Sequence, residues 1–307
     1  MPDYAIETTN VTKIFPGGVA ALAGLDLAVP TGTVYGLIGR NGAGKTTAIR
    51  VLMGLLHADS GLARVAGFNM WTAPRTERQR VAYVSQTQQL HAWMTVGELA
   101  EYAGCFYAKW DAAYARDLAR RFDTPWDRQV GLLSGGQQRK VSILLALSAR
   151  PEVLLLDEPA AGLDPIARRE LVDEIVDVIS QDGGCTVLFS THIISDLERL
   201  AEMVGVMDRG RMVMSARLDD LKTRTKRVQV IFDAPAPPGD FRVPGAVRET
   251  REGPVVTAVA RIESDTQLDA VRRIPGVRVN VFPLGLEDAF IELFGPASRS
   301  EFRGDLP

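Results

Sequence analysis

Val34-Tyr35-Gly36-Leu37-Ile38-Gly39-Arg40-Asn41-Gly42-Ala43-Gly44-Lys45-Thr46-Thr47 is the stretch that decides the architecture. Val34 to Ile38 reads as a buried strand running straight into a glycine turn, and Thr46 to Leu56 as the helix that follows. Residues 39–46 match G-x-x-x-x-G-K-[ST], a pattern for which about 0.005 chance matches are expected in a chain of this composition. The glycines let the backbone curl so that successive N–H groups face phosphate oxygens, and the helix N-terminus adds its positive dipole. Lys45 then reaches the β- and γ-phosphates, and the Thr46 hydroxyl is a Mg²⁺ ligand. Correct flanks on both sides set the motif apart from a glycine turn that only caps a helix.

Outward from this turn, the first 220 or so residues alternate short β-branched runs with longer helical ones, the pattern of an α/β fold with a largely parallel sheet. Val81–Ser85, Val153–Leu156 and Thr186–Phe189 read as strands. Thr95 to Arg121 carries helical periodicity without a strand signal, and Ser134 to Ala149 reads as a long helix. Val204–Met207 and Arg211–Met214 form a hairpin around Asp208-Arg209-Gly210, where Gly210 supplies a positive φ. The pattern changes near Leu221–Arg227. Strands at Val228–Phe232, Val255–Ile262 and Val277–Phe282 and helices at Thr266–Ile274 and Leu286–Phe294 then describe a small α+β domain.

Composition narrows the function classes. The 307 residues carry a formal net charge of −3, without the basic excess of a nucleic-acid footprint. Two cysteines, Cys105 and Cys185, exclude a disulfide framework and a cysteine metal site. No run approaches the ~18–20 apolar residues of a membrane span, and Met1-Pro2-Asp3 does not begin a secretory signal.

Val153-Leu154-Leu155-Leu156-Asp157-Glu158 is an apolar strand ending in two carboxylates. Asp157 is placed to hold Mg²⁺, commonly through water, and Glu158 to accept a proton from an attacking water. Leu133-Ser134-Gly135-Gly136-Gln137 opens a second helix with small residues, a second anion-binding helix end. One chain therefore carries two such ends, which need not serve the same nucleotide within one subunit.

With these motifs in this order the chain resembles the ATP-binding subunit of ABC transporters, over about residues 3–222. Residues 39–46 look like that family's Walker A and 133–137 like its signature. Residues 153–158 look like its Walker B, and Ala161-Gly162-Leu163-Asp164 like its D-loop. The resemblance implies that Phe15 stacks on adenine, that Gln86 is the Q-loop residue contacting Mg²⁺ and water, and that His192 is the switch histidine. It further implies a head-to-tail dimer with two ATP molecules between subunits. Gly39, Arg40, Asn41, Gly42, Ala43, Gly44, Lys45, Thr46 and Thr47 then bind one nucleotide. Ser134, Gly135, Gly136 and Gln137 bind the nucleotide held by the other subunit, where Ser134 and Gly136 meet its γ-phosphate. Asp164 has two compatible readings, a site residue of the dimer and an N-cap for the helix opened by Pro165. Ala160-Ala161 departs from the hydroxyl-bearing residues of many relatives, which removes one expected hydrogen bond across the dimer.

The expected fold is thus a P-loop ABC ATPase of the α/β class, with a mixed sheet core and a helical subdomain at about 91–150. Residues 1–222 form the ATP-binding domain, 226–295 a small α+β accessory domain and 296–307 a flexible tail. The expected function is an ATPase subunit that binds ATP and Mg²⁺ and powers a membrane transporter through dimer closure. Glu158, His192, Lys45 and Gln86 serve catalysis; Thr46, Gln86 and Asp157 serve the metal. Tyr107–Asp111 and Gly285–Leu293 resemble ATPases of ABC-2-type exporters, which points to export. A separate transmembrane permease is expected to dock near residues 86–130, placing the chain at the cytoplasmic face of the membrane as a homodimer or heterodimer. Trp93, Trp110 and Trp126 in that insert read equally as core anchors and as a docking groove. The alternative is a soluble ABC-type ATPase with a regulatory, nucleic-acid or ribosome role. Against it stand the short interval between Lys45 and Asp157, the two cysteines and the single cassette.

Overall fold

A computed structural model describes residues 3–87, 89–182 and 184–294. The chain divides into two compact units, residues 1–215 and 216–307. The division lies at 215/216 and not near 222, because the helix Leu218–Arg224 packs with the strand that follows it. The tail 296–307 lies outside the described residues.

In the first unit, β1 (Tyr4–Phe15) and β2 (Val19–Pro30) form an antiparallel hairpin. Next come β3 (Val34–Ile38), helix α1 (Lys45–Leu52) and β4 (Ser60–Val65), which pairs antiparallel with β1. A short helix α2 (Arg75–Arg78) precedes β5 (Val81–Val84). The insert that follows consists of helices α3 (Val96–Gly104), α4 (Ala112–Arg121) and α5 (Gly135–Ser148). The periodic run from Thr95 is thus two helices. The break lies where the Trp110 ring packs so close to Gly104 that a Cβ there would sit 2.9 Å from it, and where Asp111 starts α4 by accepting from Tyr114 N. Then come β6 (Val153–Asp157), α6 (Pro165–Asp182), β7 (Thr186–Thr191), α7 (Ile194–Leu200), β8 (Met203–Asp208) and β9 (Arg211–Arg217). Arg209 (φ 48°) and Gly210 (φ 75°) return β9 alongside β8.

The strands form two sheets, one three-stranded in the order β2-β1-β4 and one six-stranded in the order β5-β6-β7-β3-β8-β9. β5, β6, β7, β3 and β8 are parallel, and every residue of β6 and β7 is buried, as a strand covered on both faces requires. One core joins the two sheets through α1, with Ile6, Leu22, Leu25, Leu37, Ile49 and Leu155 all fully buried. Each such side chain contributes roughly 1.5–3 kcal/mol. The insert has its own apolar cluster, Val96, Leu99, Val130, Leu133 and Val141, with Trp126 packed against it.

In the second unit, helix α8 (Leu218–Arg224) leads to β10 (Thr225–Phe232), β11 (Ala246–Glu252) and β12 (Val255–Arg261). A single helical turn, α9 (Asp269–Arg272), β13 (Val277–Pro283) and α10 (Leu286–Phe294) follow. The strands make an antiparallel sheet in the order β11-β12-β10-β13. Val228, Val230 and Val256 lie fully buried on one face with Leu268 and Val271. Glu292 of α10 bridges Arg227 and Arg248, at 3.1 and 3.0 Å.

Candidate functional site

The parallel order places the C-terminal ends of β3, β5, β6 and β7 along one edge, and each of those ends carries a residue singled out above. In open α/β sheets this edge is where ligands bind. After β3 the chain enters the glycine turn. Gly42 (φ 82°) and Gly44 (φ 105°) adopt backbone conformations that side chains disfavour. A Cβ on Gly44 would also meet the Ala21 carbonyl at 2.5 Å, and one on Gly39 the Met207 carbonyl at 2.6 Å. Gly44 is the N-cap of α1 and has no side chain to cap it, so the first-turn N–H groups remain for a ligand. Arg40 and Asn41 are exposed at the rim, while Ala43 is buried and accepts from Gly210 N.

Lys45 is 5% exposed, and its ammonium donates to the Gly39 carbonyl at 2.7 Å. It lies 3.4 Å from Glu158 Oε1. Thr46 Oγ1 donates to Asp157 Oδ1 at 3.1 Å, and the Ser190 hydroxyl donates to the same oxygen at 2.7 Å. Asp157 Oδ2 is buried without a hydrogen-bond partner among the described residues. An unpaired buried carboxylate oxygen beside a threonine hydroxyl suits a hard cation that takes oxygen ligands. No group of three His, Cys, Asp or Glu that could hold a metal occurs among the described residues. One carboxylate beside one hydroxyl fits the way Mg²⁺ binds, through one or two carboxylates together with substrate phosphates. The Tyr83 phenol is raised above its ordinary pKa, first by burial and then by the Asp157 charge.

Glu158 gathers the remaining residues. Its φ of 48° is rare for a residue with a side chain and marks a strained turn. Four hydrogen bonds hold that turn. Glu158 N donates to the Ser190 hydroxyl at 3.0 Å and to the Ser190 carbonyl at 3.2 Å. Its carbonyl accepts from Ala161 N at 3.0 Å and from Arg139 Nη1 at 3.3 Å. The carboxylate turns inward. Gln86 Nε2 donates to Oε2 at 3.3 Å, and His192 Nδ1 lies 3.2 Å from the same oxygen. Lys45 at the start of α1, Gln86 after β5 and His192 after β7 thus converge on the carboxylate of Glu158, a residue 9% exposed.

The other residues named from the sequence stand elsewhere. Phe15 ends β1 with its ring 38% exposed. Ser134 is the N-cap of α5 in a reciprocal capping box: its hydroxyl accepts from Gln137 N, and the Gln137 side chain accepts from Ser134 N. Ser134 and Gly135 are exposed. Asp164 accepts from Ile166 N at 3.0 Å and Ala167 N at 3.1 Å, so the capping reading of that residue holds. Of the insert tryptophans, Trp93 is 67% exposed, whereas Trp110 and Trp126 are half-buried. Two residues of this site escaped sequence reasoning. Ser190 gave a signal, a hydroxyl at the end of an apolar strand; Arg139, one turn into α5, gave none.

Comparison with known proteins follows the same lines. A family model described as ABC transporter matches residues 22–161. A daunorubicin resistance ATP-binding protein of Streptomyces coeruleorubidus is 33% identical over 96% of this chain and 96% of its own. A Nod factor export ATP-binding protein of Cupriavidus metallidurans is 32% identical over 96% of this chain and 98% of its own. Among solved structures, an ATP binding subunit of an ABC transporter superimposes with a TM-score of 0.63 at 29% identity, covering 71% of this chain and 92% of that one. The fold agrees with that of the solved structure, and the chain belongs to the ABC transporter family as an ATP-binding, ATP-hydrolysing subunit.

Proposed function

We propose that the chain is the motor subunit of a membrane exporter, hydrolysing ATP at the site built around Glu158. The observation that carries the chemistry is the convergence of Lys45, Gln86 and His192 on that carboxylate. Glu158 is the general base that takes a proton from the attacking water. Gln86 and His192 orient that water and the γ-phosphate. Lys45 turns from Glu158 to the β- and γ-phosphates when nucleotide enters, which frees the carboxylate to act. Thr46, Asp157 and Gln86 hold Mg²⁺, which supplies positive charge against the phosphate oxygens. Phosphoryl transfer then rests on positioning and on neutralising charge.

Phe15 provides an exposed ring for adenine. Exposure of Ser134 and Gly135 at the start of α5 favours the head-to-tail dimer, in which this helix end completes the site of the other subunit. Export is supported by the relatives, one a daunorubicin resistance protein and the other a Nod factor export protein.

The relatives are ATP-binding proteins of resistance and export systems, which supports a transport path supplied by a separate permease. It docks near residues 86–130. In support, His91, Trp93, Tyr102 and Phe106 form a run of exposed ring contacts there. Beside it a groove of about 280 Å³ is lined by Tyr83, Gln89, Leu90, Tyr107 and Leu145. Docking at this surface places the chain at the cytoplasmic face of the membrane.

Purification of the tagged chain from detergent-solubilised membranes tests this reading. A co-purifying protein with several membrane spans is expected. Recovery of ribosomes or nucleic acid alone would reject it.

A further inference from the structure

Arg139 makes three hydrogen bonds to backbone carbonyls of two separate loops. Nη1 donates to the Glu158 carbonyl at 3.3 Å. Nη2 donates to the Gln86 carbonyl at 3.3 Å and to the Ala161 carbonyl at 3.2 Å. Gln86 follows β5, whereas Glu158 and Ala161 bound the turn after β6. Arg139 itself sits in the second turn of α5, the helix that opens at Ser134. Glu158 and Gln86 are the two residues whose side chains also meet, Nε2 to Oε2 at 3.3 Å. The guanidinium therefore holds from behind, through main-chain atoms, the same two residues that face each other across the site.

We propose that Arg139 is a positioning residue for ATP hydrolysis, fixing the strained Glu158 turn and the Gln86 loop relative to each other so that both side chains meet at the place of the attacking water. The planar fork suits this task. Its donors point in fixed, divergent directions and reach several carbonyls at once, which a lysine ammonium does not reproduce. Burial lowers the Arg139 pKa, yet an arginine stays charged in a protein, so the fork keeps its donors at any working pH. Glu158 at φ 48° has reason to need such a hold, because a turn in that region relaxes once its surroundings cease to determine it. Through α5 the same arginine ties the geometry of the base to the helix end at Ser134.

The inference rests on the reading of Glu158 as the base, and the test separates the two. The full-length chain is prepared as wild type, Arg139→Ala, Arg139→Lys and Glu158→Gln. Phosphate release gives kcat, and titration with a mant-labelled ATP gives affinity. A displacement of about 1 Å at a reacting group costs about a hundredfold. Arg139→Ala is accordingly expected to lower kcat by about ten- to a hundredfold with mant-ATP affinity within about twofold of wild type. Arg139→Lys, which preserves charge and bulk, is expected to recover less than half of that loss, and it serves alone if the alanine variant does not fold. Wild-type kcat in Arg139→Ala would overturn the proposal. So would a fall in kcat matched by an equal fall in affinity, or full rescue by lysine. Wild-type kcat in Glu158→Gln would instead remove the base assignment on which the proposal stands.

Discussion

Ser190→Ala is the substitution whose consequences the structure specifies most fully. Ser190 is fully buried at the end of β7, opposite Asp157 in the register of the parallel pair. Its hydroxyl donates to Asp157 Oδ1 at 2.7 Å and accepts from Glu158 N at 3.0 Å. The first bond goes to a buried carboxylate, and such a bond contributes about 1.5–3 kcal/mol. The second is partly redundant, since Glu158 N also donates to the Ser190 carbonyl at 3.2 Å. Alanine leaves no large cavity, so the net loss is about 2–3 kcal/mol. In a unit of this size that lowers the unfolding midpoint by about 5–10 °C. All four tryptophans, at 71, 93, 110 and 126, belong to the first unit. Thermal unfolding followed by tryptophan fluorescence therefore reads this unit by itself. A midpoint within about 1 °C of wild type would refute the account of Ser190 as the brace beneath both carboxylates.

Further predictions use the same preparations. Gly44→Ala forces a Cβ against the Ala21 carbonyl at φ 105°; mant-ATP titration should show affinity reduced at least about tenfold, with a stability cost of about 1–3 kcal/mol. Asp196 has its pKa raised by burial, opposed by the hydrogen bond from Thr191. A carboxyl with a raised folded-state pKa favours folding below its unfolded value and loses that advantage as pH rises through the folded value. Asp196→Asn should therefore raise the fluorescence midpoint at neutral pH, with the gain disappearing as pH falls below the ordinary aspartate range; no gain at pH 7 would contradict the burial argument. Trp93→Glu, at an exposed ring, should leave the ATPase activity of the isolated chain unchanged while reducing recovery of the permease in the detergent pull-down.

The glycine turn was legible because its chemistry is local: each glycine answers a backbone requirement that Gly42 and Gly44 visibly meet. The carboxylates at the end of β6 were legible for a related reason, since an apolar run that ends in Asp-Glu announces its own burial. β1 and β2 were not. Their ladder shifts register four times, and Asn10 takes a positive φ, which scrambles the alternation that marks a strand. β11, with the sequence AVRETRE, hides for a different reason: as an edge strand it carries charge where a central strand carries valine. The meeting of Gln86 and His192 on Glu158 depends on β5 and β7 flanking β6, an order that no local pattern encodes. Arg139 was invisible because its partners are carbonyl oxygens, which every residue possesses. Two of the insert tryptophans received one answer each, Trp93 outward and Trp126 against the core, where the sequence offered both.

The central claim is that Glu158 takes the proton during ATP hydrolysis, and Glu158→Gln tests it most directly. Glutamine keeps the shape and leaves Oε1 as an acceptor for Lys45 while removing the basic carboxylate. Phosphate release and mant-ATP affinity are measured together on the full-length chain. The account predicts that affinity survives within about twofold while turnover falls by at least about a hundredfold, in line with a lost general base. Turnover near the wild-type rate, with affinity intact, would contradict it.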